Sequence, residues 1–382
     1  MKRVVSVLLS HAPHLRTPRH LLDAYRTTTG WSEALLAAGL EPVTVIGFTH
    51  DDELRHGGAD YVFVAGSHAP MRSRRLPWRL LRRVRDLRPD VVHLHSLIFP
   101  LQARALRCLL PSEVPIVVQH HAERPFGGWQ GSLQRWGLAP VDGYFFNGDA
   151  VADPFRRAGV IRPSQPVYEV LEGSQWREAA YADLETVSLV GEPALFWVGN
   201  LTPNKDPLTV LGGLERVLAD FPEAHLHMAF RSDELLPEVR ERLAASPRLA
   251  RAVTLLGPLP HDALVAHLRG ADLFVQGSRH EGSGYGLVDA LACGVVPVVT
   301  DIPSFRMILG PQGSDELGAL WSHGDEDTLV GGLRRTLARP LARQKEAARR
   351  RFDEALSWPA VGRVSRAAYE DLVARRASIT SR

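Results

Sequence analysis

The chain has 382 residues, 45% hydrophobic and 23% charged, enough for two ordinary domains with separate buried cores. Its 45 basic residues nearly balance 43 acidic ones, a formal net charge of +2, so overall charge makes no case for a nucleic-acid partner. Cys108 and Cys293 are too few and too far apart for a disulfide framework or a four-ligand zinc site, and they fit a reducing cytoplasm.

Met1-Lys2-Arg3 is followed by an apolar run, Val4 to Leu9, that stops at Ser10-His11-Ala12-Pro13. It is shorter than a signal-peptide core and no small-residue cleavage site follows it. No segment approaches the roughly 20 apolar residues of a membrane span, so the expected location is cytoplasmic. Val4 to Leu9 instead opens a series of expected strands that continues at Val43 to Gly47, Tyr61 to Ala65, Val91 to His95, Ile116 to Gln119, Tyr144 to Asn147 and Val167 to Leu171. Amphipathic stretches lie between most of them, the signature of βα units and a mostly parallel sheet. The rhythm fails from Glu172 to Pro193. A second series then opens with Ala194 to Val198 and runs through His225 to Phe230, Val253 to Leu256, Leu273 to Gln276 and Val296 to Val299. From Asp325 onward the chain reads as helical, interrupted at Pro340 and at Trp358-Pro359. The expected fold is α/β, with two doubly wound Rossmann-like domains over residues 1–180 and 190–355 and a closing helix over 356–382. Such domains bind ligands outside the carboxyl ends of their strands, so a central cleft is the expected site.

The most informative stretch is Arg279-His280-Glu281-Gly282-Ser283-Gly284-Tyr285-Gly286-Leu287-Val288-Asp289, continuing to Ala292-Cys293-Gly294. It follows an expected strand and opens an expected helix. Glycines 282, 284 and 286 let the backbone approach a ligand, and the unpaired amides of a helix start suit a diphosphate. The spacing is neither that of the dinucleotide fingerprint nor that of the P-loop. Two carboxylates, Glu281 and Asp289, bracket the turn.

This stretch resembles glycosyltransferase family 4, in which a glutamate, seven residues and a second glutamate precede a helix ending Ala-Cys-Gly before a Pro-Val-Val strand, here Pro297-Val298-Val299. The resemblance implies the GT-B fold and retaining transfer of a sugar from a nucleoside diphosphate donor to an acceptor that is a glycan, a lipid-linked sugar or a small molecule. It implies no required metal or cofactor. It places Glu281 on the donor sugar, Asp289 on the ribose hydroxyls, and the amides around Ser283, Gly284, Tyr285 and Gly286 on the phosphates. Asp289 departs from the family's glutamate; its carboxylate is set back by roughly 1.5 Å, one carbon–carbon bond. Val198-Gly199-Asn200-Leu201-Thr202-Pro203-Asn204-Lys205 resembles the family's strand, Gly-Arg and following lysine. Lys205 fits the phosphate-binding lysine. Asn200 takes the arginine's place without its charge, so a weakened donor contact or a substitute arginine from elsewhere is expected.

In the first half, Asp90-Val91-Val92-His93-Leu94-His95 resembles the family's strand ending in His-x-His, and Pro115 to His121 its strand ending at a histidine facing the donor sugar. His121 is preferred to His120, with His95 as a further candidate on the sugar and acceptor side. Gly30, before the expected helix Trp31 to Ala38, resembles the family's first glycine loop, although the usual paired glycine is missing. Ser357-Trp358 and Tyr369-Glu370 resemble the closing helix that crosses back to the first domain. No enzyme nucleophile is assigned.

Two other readings stay open. The pairs His93/His95 and His225/His227 each put two imidazoles on one strand face, as a metal-dependent hydrolase would need. Asn200 and Asp289 would also suit a non-catalytic nucleotide-sugar binder. Finally, Arg72 to Arg88 sets Leu80, Leu81, Val84 and Leu87 beside Arg79, Arg82, Arg83, Arg85 and Arg88, the pattern of a surface helix packed on the sheet with a solvated basic face, or of one resting on anionic lipid at the inner membrane face.

Overall fold

In the computed structural model, the described residues are 1–9, 14–66, 75–121, 123–171, 173, 176, 181–282, 284–310 and 316–380. The chain divides into two compact units, Met1–Gly173 with Trp358–Arg382, and Ser174–Ser357.

The first unit is built on eight strands: β1 (Arg3–Leu8), β2 (Glu41–Phe48), β3 (Asp52–His56), β4 (Ala59–Ala65), β5 (Val91–His95), β6 (Ile116–Gln119), β7 (Gly143–Phe146) and β8 (Val167–Glu169), in the order β3-β4-β2-β1-β5-β6-β7-β8. Every neighbouring pair is parallel except β3 with β4. The parallel strands are apolar on both faces because helices cover both. β3 escapes a periodicity search because Asp52-Glu53-Leu54-Arg55-His56 has almost no apolar face. It forms as a charged edge, folded back onto β4 through Gly57 and Gly58, both at positive φ.

The helix Trp78–Asp86 packs on the sheet of the first unit. Leu80, Leu81 and Val84 are buried in the core against the sheet, so the apolar face is already covered. On the other side, Arg79 pairs with Asp51 at 2.7 Å and Arg83 with Glu53; residues 72–74 lie outside the described residues. No helix among the described residues is long and apolar enough to cross a membrane.

The helix Trp358–Thr380 belongs to the first unit, where Val361, Ala368, Tyr369 and Leu372 pack with Val4, Trp31, Leu35 and Phe145. It lies so close to the helix Arg26–Ala37 that a Cβ on Gly362 would sit 2.1 Å from the carbonyl oxygen of Ala34. The break ahead of it falls at Ser357, with extended ψ after a π-helical turn over Phe352–Leu356. Pro359 itself lies in the first helical turn, where its missing N–H leaves no bond unmade.

The second unit has six parallel strands: β9 (Ala194–Gly199), β10 (His225–Phe230), β11 (Val253–Gly257), β12 (Leu273–Gln276), β13 (Val296–Thr300) and β14 (Ala319–Trp321), in the order β11-β10-β9-β12-β13-β14. β14, three residues long, is too short to read from sequence, yet Trp321 fills the core beside Val275 and Val298. The strand order reverses between β9 and β12. Chains leaving these two strands diverge and open a crevice at their carboxyl ends.

Candidate functional site

That reversal point collects the sequence's two informative loops. Gly199 ends β9, and residues 200–206 lead to the helix Pro207–Val217, which Asp206 caps by accepting a hydrogen bond from Thr209 N at 3.4 Å. β12 leads through residues 277–284 to the helix Tyr285–Ala292. Three contacts tie the loops together. Asn204 Nδ2 donates to the His280 carbonyl at 3.1 Å, Arg279 N to the Asn204 carbonyl at 2.8 Å, and Lys205 Nζ to Glu281 Oε1. Ser278 Oγ also donates to Glu281 Oε1 at 2.5 Å. The lysine and the carboxylate marked from sequence are thus direct partners, and the other Nζ hydrogens remain for a second acceptor.

Gly284 is the N-cap of the second helix at φ +61°, a left-handed conformation that favours glycine, and a Cβ there would lie 2.6 Å from Ile308 Cδ1, so a larger residue would also have to displace that methyl. Gly286 packs on Val198. Ser283 lies outside the described residues.

A cavity of about 340 Å³ opens beside these loops, and its walls include Gly199, Asn200, Lys205, Arg231, Tyr285 and Asp289. Asp289, only 4% exposed, is held by a chain of side chains that sequence reasoning missed. His261 Nε2 lies 3.0 Å from Asp289 Oδ2, and the Tyr181 hydroxyl 2.6 Å from His261 Nδ1. A carboxylate only accepts, so Nε2 carries the ring hydrogen and Nδ1 accepts from the tyrosine. Asp289 Oδ1 is buried without a hydrogen-bond partner. An orphaned carboxylate oxygen in a cavity wall is an acceptor held ready for a hydroxyl or amide donor. The sequence signal for His261 was its place just after β11, but Pro260-His261-Asp262 matches no motif.

In the first unit, the expected histidines gather at the carboxyl ends of β5 and β6. His93 is fully buried and shares a 2.7 Å hydrogen bond with the Tyr369 hydroxyl. His95 stacks on His93 and on His121, and His95 Nδ1 and His121 Nε2 are 3.0 Å apart. Burial, then the neighbouring His121, pushes the His93 imidazole down to about 3, and burial with both neighbours holds His95 well below the usual histidine range. His120 and His121 differ in setting. His120 is buried against Phe146 and Phe155, whereas His121 is exposed. Gly30 corrects its sequence reading: it is buried inside the helix Arg26–Ala37, not in a loop.

One ring nitrogen in each His-x-His residue is committed within the protein, His225 to Thr254 at 2.8 Å and His227 to the Val190 carbonyl at 2.9 Å in the second pair. Among the described residues no group of three or more His, Cys, Asp or Glu is placed to hold a metal ion.

Residues 185–354 match the family described as glycosyl transferases group 1, and residues 26–168 match glycosyltransferase family 4. The chain is 28% identical over 235 residues to a GDP-mannose:cellobiosyl-diphosphopolyprenol alpha-mannosyltransferase of Xanthomonas campestris, covering 59% of each. It is 26% identical to a phosphatidyl-myo-inositol mannosyltransferase of Mycolicibacterium smegmatis over 64% of this chain and 61% of that protein. The matched region thus spans about six tenths of these relatives' lengths. Among solved structures, sucrose-phosphate synthase of Thermosynechococcus elongatus superposes with TM-score 0.66 at 17% identity, covering 98% of this chain and 100% of that one. A glycosyltransferase of Rickettsia africae gives TM-score 0.69 at 13% identity, covering 97% and 98%. These likenesses show the GT-B fold.

Proposed function

Because this chain belongs to the glycosyltransferases, matching family 4 over residues 26–168 and group 1 over residues 185–354, we propose that it moves a sugar, with retained anomeric configuration, from a nucleoside diphosphate donor to a hydroxyl acceptor. The observation that carries the proposal is the convergence of Lys205, Glu281 and the glycine-bracketed helix start on the reversal point of the second sheet, beside a cavity walled by Asp289. Lys205 and the helix-start amides would meet the negative charge that grows on the departing diphosphate. Glu281 would hold the donor sugar by its hydroxyls, and Asp289 Oδ1 would accept from the ribose. The bond from the anomeric carbon to the diphosphate breaks as the acceptor oxygen bonds on the same face, and the acceptor's proton leaves with the diphosphate. No protein nucleophile and no metal ion is required by this scheme.

The relatives' names favour a guanosine diphosphate donor and a lipid-linked acceptor as the first to try. Thermal unfolding with uridine, guanosine and adenosine diphosphates tests the reading. A ligand at about 100 times its dissociation constant adds roughly 2.7 kcal/mol, seen as a rise of a few degrees. One diphosphate should raise the midpoint, with or without chelator. If none does, the donor reading fails; if the rise disappears with chelator, the metal-free scheme fails.

The Asp289 arrangement makes a separate prediction. His261→Ala frees the carboxylate to turn away from the cavity and should weaken the stabilising diphosphate about tenfold, the scale of one charged hydrogen bond. Asp289→Ala should weaken it at least as much, and adding His261→Ala to that variant should cost nothing more. Calorimetric titration of the three variants checks this, and additive losses would sever the histidine from the carboxylate's role.

A further inference from the structure

We propose that Arg231 makes the diphosphate contact that Asn200 is too short and uncharged to make: the guanidinium stands one strand over in the sheet. This rests on the donor reading above. In the parallel register of β9 and β10, Phe230 pairs with Gly199, so the next residues out of the sheet, Arg231 and Asn200, leave side by side. The two exits stay together beyond that point, because Leu201 N donates to the Ser232 carbonyl at 3.1 Å. Arg231 lines the same cavity as Asn200, Lys205, Tyr285 and Asp289. Its side chain is exposed and makes no hydrogen bond or ion pair among the described residues. By contrast, Arg269 and Arg351 of the same unit are tied to backbone carbonyls, at 2.7 Å to Leu184 and 2.8 Å to Ile308.

The chemistry fits a diphosphate better than a single hydroxyl or a carboxylate partner. A guanidinium offers five N–H donors in a planar fork that spans two phosphate oxygens, and it stays charged at any relevant pH. Lys205 alone is a point charge already shared with Glu281. With Arg231 added, the cavity wall holds two cations against a ligand of two or three negative charges. The side chain is longer than asparagine by several bonds, so it reaches over the Asn200 position from the neighbouring strand.

The test is calorimetric titration with whichever of the three diphosphates stabilises the chain, on wild type, Arg231→Ala, and Arg231→Ala combined with Asn200→Arg. Arg231→Ala should weaken the diphosphate about tenfold or more, and should flatten the dependence of affinity on salt as one phosphate contact is lost. Because Arg231 holds no other residue, the unliganded unfolding midpoint should not move. Returning the cation through Asn200→Arg should recover most of the lost affinity and the salt slope. Equal affinity for wild type and Arg231→Ala would overturn the proposal while leaving the donor reading intact. So would a loss with an unchanged salt slope, which would give Arg231 to the base or ribose. If no diphosphate binds wild type, the donor reading falls and this proposal with it.

Discussion

Lys205→Ala is expected to lower sugar transfer by about 100- to 1000-fold, the effect of removing one preorganised donor from a site where negative charge develops. The expectation follows from where Lys205 sits. Its Nζ is held by Glu281 across a loop pair that Asn204, His280 and Arg279 staple together. It is only 18% exposed at the side chain, and Glu281 14%, so removing the cation also leaves a largely buried carboxylate without its counter-charge. Two consequences separate the roles. Lys205→Ala should lower kcat for the nucleotide sugar more than it raises its KM, because negative charge on the departing diphosphate grows between the bound sugar nucleotide and the transition state. Glu281→Gln keeps the Ser278 hydrogen bond, and so should bind the diphosphate about as wild type does while transferring poorly. Turnover of a nucleotide sugar alongside diphosphate titration distinguishes these outcomes. If Lys205→Ala transfers within a few-fold of wild type, the leaving-group role assigned to it is wrong.

Acidification should destabilise the first unit steeply. His93 and His95 take an ordinary pKa near 6.5 in the unfolded chain but are pushed down in the folded one, His93 to about 3. Below pH 6.5 the unfolded state takes up protons that the folded state refuses. The stability held by keeping these rings neutral is therefore complete above pH 6.5 and is lost progressively as pH falls below it, toward 3 in the case of His93, by about 1.4 kcal/mol per pH unit for each histidine. Together they make a slope of roughly twice that, a large share of the 5–15 kcal/mol typical of a domain. His93→Gln removes one titrating ring while keeping a polar partner for the Tyr369 hydroxyl, and should flatten the slope by about half. Hydrogen exchange at pH 7, 6 and 5, read on peptides from β5, reports on this unit separately from the other. Equal slopes for wild type and His93→Gln would show that these rings do not govern the acid response.

Much of the architecture was legible because parallel strands buried on both faces are continuous apolar runs. β5, β6, β10 and β12 fall at the residues expected from sequence. The two missed strands fail that test for different reasons, β3 through its charges and β14 through its length. The glycine loop was legible because Gly284 takes a left-handed conformation that glycine adopts without strain. Gly30 misled because a glycine inside a helix and a glycine in a loop look alike without their neighbours.

By itself the sequence determined the alternation of strands and helices, the two-part organisation, and the loop from Glu281 to Asp289 with Lys205 as its companion. These are local signals, carried by periodicity and by residues close in the chain. Tertiary structure alone decided that Leu80, Leu81 and Val84 face a core and not a membrane, because an amphipathic face carries no label for what covers it. It alone joined Tyr181, His261 and Asp289 into one hydrogen-bonded chain, and set Arg231 beside Asn200. Strand register creates such neighbours between segments that share no local pattern, and only the folded sheet fixes the register.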